Sequence, residues 1–146
     1  MKLSLGSDHA GFPLKEAIKA HLTQLGHEVC DRGTFSLDSV DYPDFGHAVA
    51  RDVVSNQSEL GIVVCGSGNG INMSVNTHEG VRGALCWLPE LASLARQHND
   101  ANVLSLPGRF ISEEVGLACV DAFIEASFEG GRHATRVAKI SCGDTL

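Results

Sequence analysis

Gly61-Ile62-Val63-Val64-Cys65-Gly66-Ser67-Gly68-Asn69-Gly70 is the stretch on which the fold turns. Residues 61–65 are an uninterrupted apolar, β-branched run, the mark of a strand buried on both faces, so this strand belongs at the centre of a sheet. The glycines that follow end it, and the pattern from Ile71 to about Thr77 is helical. Toward the N-terminus, Lys2–Gly6 reads as a strand, and 12–25 as a helix with Leu14, Ala17, Ile18, Leu22 and Leu25 at the 3.6-residue period, stopped by Gly26. His27–Asp31 is a second short strand. Tyr42-Pro43 precedes a helix from Asp44 to Val54 with Phe45, Val49 and Val53 on one face. Toward the C-terminus come a strand Val81–Leu85, a helix Pro89–Gln97, a strand Asn102–Leu106 and a helix Ser112–Phe128 with acids in its first turn. A terminal helix follows Gly130-Gly131. Alternation of this kind implies βαβ units and a parallel sheet with helices on both faces, whose ligand site lies off the carboxyl ends of the strands.

The chain of 146 residues suits one domain spanning 1–146, and its 43% hydrophobic content with mean hydropathy +0.03 supplies a core. Eleven Lys and Arg against eighteen Asp and Glu leave a net charge of −7, so no global positive field exists for nucleic acid or anionic lipid. An anionic ligand must be held by a local cluster of cations. Neither an apolar run of membrane-spanning length nor the apolar segment of a signal peptide is present, which reads as a soluble, cytoplasmic protein with no membrane partner. Cys30, Cys65, Cys86, Cys119 and Cys142 are odd in number and widely spaced, against both a disulfide framework and a cysteine-based zinc site.

Polar residues gather at three places: Ser7-Asp8-His9-Ala10-Gly11 after the first strand, Cys65 to Gly70 after the third, and Arg96-Gln97-His98-Asn99-Asp100 before the fifth. All three are expected near the ligand-binding edge. Gly66, Gly68 and Gly70 let the backbone approach a ligand closely, and a loop entering a helix offers unpaired N–H groups to an anion or oxyanion. Ile71 and Asn72 stand where a Walker loop needs Lys and Ser or Thr, and Ile71 also defeats the dinucleotide fingerprint and a Cys-x5-Arg phosphatase loop. A free cysteine usually fills core space. Cys65 differs because it closes the central strand just before a helix N-terminus, a location that lowers a thiol's pKa. The other four cysteines read as core or surface thiols. His98 and His9 sit among polar residues and read as site groups, whereas His21, His27, His47 and His78 read as solvated. Arg132 and Arg136, four apart on one helical face, suit a phosphate.

Gly6 to Phe12, Asp41-Tyr42-Pro43, Cys65 to Gly70, Arg96 to Leu104 and Glu129 to His133 resemble, in that order and spacing, the ribose-5-phosphate isomerase B family over nearly the whole chain. The family also holds isomerases of allose 6-phosphate, galactose 6-phosphate and tetrose phosphates. The resemblance implies a Rossmann-like three-layer α/β/α sandwich around a five-stranded parallel sheet, a homodimer or homotetramer with sites at the subunit interface, and no metal or organic cofactor. It further implies an aldose–ketose isomerisation of ribose 5-phosphate through a cis-enediolate. Cys65 would be the base, Ser67 would assist proton movement between oxygens, and His98 would open the sugar ring. Backbone groups of Gly66, Gly68, Asn69 and Gly70 would hold the enediolate, and Asp8 and Asn99 the hydroxyls. Phosphate would fall to His9, Arg109, Arg132 and Arg136, some of them across the interface. One branch of the family has Gly in place of Cys65 and uses a Glu further along; Val75 occupies the corresponding helix here. Where relatives commonly read Ala-Ala-Asn-Lys after the glycine loop, this chain has Ser74-Val75-Asn76-Thr77. The alternatives are another sugar phosphate, a catalytically silent subunit, or a flavodoxin-like or receiver-like module that binds an anion without turnover.

Overall fold

The structure, a computed structural model, describes residues 1–141. Strands β1 (Lys2–Ser7), β2 (Glu28–Asp31), β3 (Leu60–Cys65), β4 (Gly83–Leu85) and β5 (Val103–Pro107) alternate with helices α1 (Phe12–Gln24), α2 (Tyr42–Val54), α3 (Asn69–Val75) and α4 (Pro89–Asn99). Helices α5 (Glu113–Glu125) and α6 (Arg132–Ala138) follow. The strands form one parallel sheet in the order β2-β1-β3-β5-β4, with β3 in the middle and buried at every position. Side chains of β3 alternate between two cores, as strand geometry requires. Ile62 and Val64 join Leu3, Leu14, Ile18 and Phe123 on the face covered by α1, α4 and α5; Val63 and Cys65 join Val49, Ile71 and Val75 on the face covered by α2 and α3. This is the expected three-layer sandwich. No helix among the described residues is long and apolar enough to cross a membrane.

Element boundaries shift where local chemistry competes with pattern. Helix α2 starts at Tyr42 rather than Asp44, because Pro43 in its first turn has φ already set for a helix. Strand β4 is shorter than Val81–Leu85: Val81 N–H donates to the His78 carbonyl at 3.1 Å and Arg82 N–H to Asn102 Oδ1 at 2.7 Å, so both donors are used outside the ladder. Helix α5, capped by Ser112 Oγ accepting from Val115 N–H at 3.1 Å, stops at Glu125, where Ala126 turns extended.

Helix α4 runs through His98 and Asn99 before Asp100 turns left-handed. This corrects the expectation that Arg96 to Asp100 lies at the ligand-binding edge. In a parallel sheet the end of a helix leads into the start of the next strand, so His98 and Asn99 sit at the amino edge of β5, opposite Cys65.

Beside the apolar core, two carboxylates, half-buried Asp31 and buried Asp52, tie the outer strand to the rest. Asp31 accepts from Lys15 Nζ at 2.7 Å and from Lys19 Nζ at 2.8 Å, and also from Gly33 N–H at 2.9 Å. Asp52 accepts from Arg32 through both oxygens at 2.7 Å and from Ser4 Oγ at 2.7 Å, linking α2, β1 and the end of β2. Burial alone would push the Asp52 carboxyl up, but the hydrogen bonds from Arg32 and Ser4 outweigh it and hold the group below its ordinary value. A depressed folded-state pKa contributes stability that is present above the unfolded value and lost as pH falls through the folded one. Arg32→Gln is therefore expected to cost about 1–3 kcal/mol at neutral pH, with the gap from the parent narrowing below about pH 4 as Asp52 protonates. Urea denaturation at a series of pH values checks this, and a gap that stays constant with pH would show that Arg32 acts through packing alone.

Candidate active site

Strand β1 leads away to β2 on one side and β3 leads toward β4 on the other, so the topology reverses between β1 and β3. Such a switch point opens a crevice at the carboxyl ends of the two strands. Ser7 pairs with Val64 and Cys65 with Pro107, bringing the ends of β1, β3 and β5 level. Asp8 is buried there: its N–H donates to the Val64 carbonyl at 3.3 Å and its Oδ1 accepts from Gly11 N–H at 3.0 Å. Val40 N–H donates to His9 Nδ1 at 3.2 Å, which makes Nε2 the protonated nitrogen of the neutral ring and thus a donor for a ligand.

Cys65 closes β3 and is 4% exposed. Its carbonyl accepts from Gly108 N–H at 2.8 Å and that of Gly66 from Arg109 N–H at 3.0 Å, so the turn after β5 is clamped onto the glycine loop. A Cβ on Gly66 would lie 3.5 Å from the Arg109 side chain, which places this exposed cation beside the loop. Ser67 is exposed, and its Oγ accepts from Asn69 N–H at 3.2 Å. The turn itself depends on Gly68, which has φ +77 and whose carbonyl accepts from buried Ser105 Oγ at 2.8 Å. At Gly70 a Cβ would fall 2.4 Å from the Tyr42 ring, so the absence of a side chain lets Tyr42 cover the start of α3. Tyr42 was not singled out as a site group from the sequence, although Asp41-Tyr42-Pro43 was a visible signal.

The remaining thiols divide as expected. Burial pushes Cys86 up to about 12 and Cys119 up to about 11, which keeps both protonated and inert, while Cys30 is half-buried on β2. Cys142 lies outside the described residues. Val75, in the helix where the resemblance implies an alternative acid in one branch of the family, is fully buried in the core.

A second polar group forms at the other edge of the sheet. The His98 ring stacks on His133 of α6 with centroids 4.2 Å apart and planes 10° from parallel. Glu129 Oε1 lies 3.6 Å from His98 Nε2 and 3.8 Å from His133 Nε2. Burial, and then His98 and Arg132, push His133 below the ordinary imidazole value. Arg132 and Arg136 are exposed on α6, and Asn99 is exposed at the end of α4. Between the level of Val103 and that of Pro107, β5 rises roughly 13 Å, so the Cys65 edge and the His98 edge of one chain do not share a ligand the size of a sugar phosphate.

Pairing divides the lysines and arginines into two groups. Lys2, Lys15, Lys19, Arg32, Arg82 and Arg96 each meet a carboxylate within 4.0 Å, whereas Arg109, Arg132 and Arg136, like Arg51 and Lys139, meet none among the described residues. Three of the expected solvated histidines are in fact paired. His21 Nε2 lies 2.7 Å from Asp121, because α1 packs on α5, and His47 Nδ1 of α2 lies 2.7 Å from Nε2 of His78 in the loop after α3, because α2 packs on α3. Beside the glycine loop, Trp87, Leu88 and Phe110 are exposed and border a cleft of about 570 Å³ that also includes Ser67 and Asn69.

Residues 3–140 match the family model described as Ribose/Galactose Isomerase. The chain is 44% identical over 140 residues to ribose-5-phosphate isomerase B of Escherichia coli, covering 96% of this chain and 94% of that protein. It is 46% identical over 139 residues to ribose-5-phosphate isomerase B of Mycolicibacterium paratuberculosis, covering 94% and 87%. Among solved structures, ribose-5-phosphate isomerase B of Clostridium thermocellum superposes with a TM-score of 0.95 at 48% identity, covering 97% of this chain and 95% of that one. The Mycoplasma genitalium enzyme with bound ribulose-5-phosphate superposes with a TM-score of 0.91 at 42% identity, covering 95% and 93%.

The glycine loop can be tested without a ligand. A Cβ at position 68 would fall 2.5 Å from Leu85 Cδ1 and 3.1 Å from the Leu106 carbonyl carbon, at a positive φ. Gly68→Ala is expected to destabilise the protein by about 1–3 kcal/mol. Chemical denaturation reads this directly, and an unchanged midpoint would show that the loop relaxes freely.

Proposed function

This chain belongs to the ribose/galactose isomerase family, and from that premise we infer that it interconverts ribose 5-phosphate and ribulose 5-phosphate through a cis-enediolate. The observation that carries the mechanism is the meeting of Cys65, the glycine loop, Asp8 and Arg109 at the β1/β3 switch point. The reaction needs a base for a carbon-bound proton, donors for two developing oxyanions, a group that opens the sugar ring, and a grip on phosphate.

Cys65, as thiolate, takes the C2 proton of the open-chain aldose, and the electron pair left behind forms the C1–C2 double bond as the carbonyl oxygen becomes an enediolate oxygen. The backbone N–H groups from Gly66 through Gly68 and Asn69 to Gly70 stabilise that charge. Ser67 assists transfer of the hydroxyl proton between O2 and O1, and the Cys65 thiol returns its proton to C1, giving the ketose. This sequence uses no metal or organic cofactor. Before it, His98 opens the furanose ring, with Asn99 and Asp8 fixing the hydroxyls. His9, Arg109, Arg132 and Arg136 hold the phosphate.

Since His98 and Cys65 lie on opposite edges of the sheet, the complete site is assembled from two copies: Cys65, Asp8, His9 and Arg109 from one, and His98, Asn99, Arg132 and Arg136 from the other. A cytoplasmic homodimer, or a homotetramer built from it, satisfies this. The exposed Trp87, Leu88 and Phe110 around the glycine loop support an interface there, because apolar side chains gathered at a polar site are characteristic of surfaces covered on association.

The test is ketose formation from ribose 5-phosphate, compared with allose 6-phosphate, galactose 6-phosphate and erythrose 4-phosphate, with and without EDTA. Preference for ribose 5-phosphate, unaffected by EDTA, is expected. Turnover of a different sugar alone would reassign the substrate, and silence on all four would favour the silent-subunit or binding-module alternatives. Cys65→Ala is expected to lower kcat by about 10²–10⁴-fold with substrate still bound. Full turnover in that variant would remove Cys65 as the base. Arg136→Ala is expected to raise KM by roughly 10- to 150-fold, the loss of one charge-assisted hydrogen bond, and an unchanged KM would take Arg136 off the phosphate.

A further inference from the structure

Ser105 is the only polar side chain of β5 and is fully buried, between Val63 of β3 and Leu85 of β4 in the sheet. A hydroxyl in such surroundings costs free energy unless it is hydrogen-bonded. Ser105 Oγ–H donates to the Gly68 carbonyl at 2.8 Å. The other end of the same peptide unit is held as well. A trans peptide is one rigid plane whose C=O and N–H point in opposite directions, so a carbonyl drawn in toward β5 turns the Asn69 N–H outward. There it donates to Oγ of exposed Ser67 at 3.2 Å. The second bond to the Gly68 carbonyl, from Asn72 N–H, is longer at 3.3 Å, and glycine leaves the plane free to turn. Ser105 is therefore the contact that sets it.

We propose that Ser105 is a positioning residue for the isomerisation, acting through the Gly68–Asn69 peptide on the Ser67 hydroxyl. A serine hydroxyl has one proton to donate and two lone pairs. With one lone pair taken by the Asn69 N–H, Ser67 Oγ keeps one donor and one acceptor, both directed away from the loop. That pair is what transfer between two neighbouring enediolate oxygens requires. Oγ takes the proton from O2 while its own proton passes to O1, so the serine ends with the proton count it began with. Turned over, the peptide would present the Gly68 carbonyl to Ser67, which would claim the hydroxyl proton and leave no donor for O1. The catalytic consequence rests on the role given to Ser67 in the proposed function, while the hold of Ser105 on the peptide does not.

A double-mutant cycle in the whole protein, assayed for ketose formation from ribose 5-phosphate, tests this. Ser105→Ala is expected to lower kcat by roughly 10- to 100-fold with KM little changed, the cost of misplacing a reacting group. Made on a Ser67→Ala background, the same change should cost almost nothing further, because the group it positions is gone. Ser105→Thr keeps the hydroxyl and should retain most of the rate. Full activity in Ser105→Ala, or losses that multiply in the double variant, would overturn the role in catalysis. Circular dichroism keeps a misfolded variant from being counted. The peptide itself is read from the Asn69 amide in proton–nitrogen correlation spectra. Its resonance should move and its hydrogen exchange quicken in Ser105→Ala, and both should revert in Ser105→Thr. An Asn69 amide unchanged by Ser105→Ala would overturn the hold on the peptide, with or without activity. A parent inactive on every sugar phosphate would remove the isomerase assignment and the catalytic role together, while the amide spectrum still decides the hold.

Discussion

Everything about this site follows from the parallel ladder around β3. When every strand runs the same way, all carboxyl ends fall on one edge and all helix ends that feed strands fall on the other. The buried run from Leu60 to Cys65 fixes which strand is central, and its pairing with β1 and β5 sets Cys65 level with Asp8 and Pro107. The same rule carries the end of α4 to the far edge. In the proposed function, chemistry divided in this way is completed by association of two chains, and the sheet that separates the two half-sites also holds each of them rigid.

Rigidity at the Cys65 edge has a specific origin. The Gly68 carbonyl is held by Ser105, and those of Cys65 and Gly66 by the turn after β5, so the loop is anchored to a neighbouring strand as well as to its own helix. Donors fixed before the substrate arrives stabilise a developing oxyanion without reorganisation. The electrostatic arrangement complements this. An acidic chain neutralises most of its cations on carboxylates and leaves Arg109, Arg132 and Arg136 without such partners among the described residues, concentrating affinity for an anion at the proposed site.

Much of this was legible in the sequence. The β-branched run of β3, the helical period of α1 and the Ser112 cap of α5 are local signals, and local physics decided them. Cys65, Gly66, Ser67 and Gly68 were legible because a glycine-rich turn after a buried strand has few structural solutions. The edge on which His98 lies follows from the order α4 then β5, whichever of Gln97 or Asn99 ends the helix, and the expectation that set it with the carboxyl ends overlooked that order. The pairing of His47 with His78, and of His133 with Glu129 and His98, was hidden, because it is made between segments far apart in the chain or on different elements. Tyr42 over Gly70 belongs with these: Pro43 marks the helix start, but only the packed structure places the ring.

The division of one site between two chains is the central claim, and mixing two inactive variants tests it most directly. Cys65→Ala and His98→Asn homo-oligomers would be unfolded together, refolded together, and assayed for ketose formation from ribose 5-phosphate. If each site draws Cys65 from one chain and His98 from the other, a mixed dimer carries one doubly defective and one intact site. Activity then returns to about a quarter of the parent value at equal mixing. If both residues serve the same chain's site, no mixed species contains an intact one, and the absence of any recovery would contradict the account.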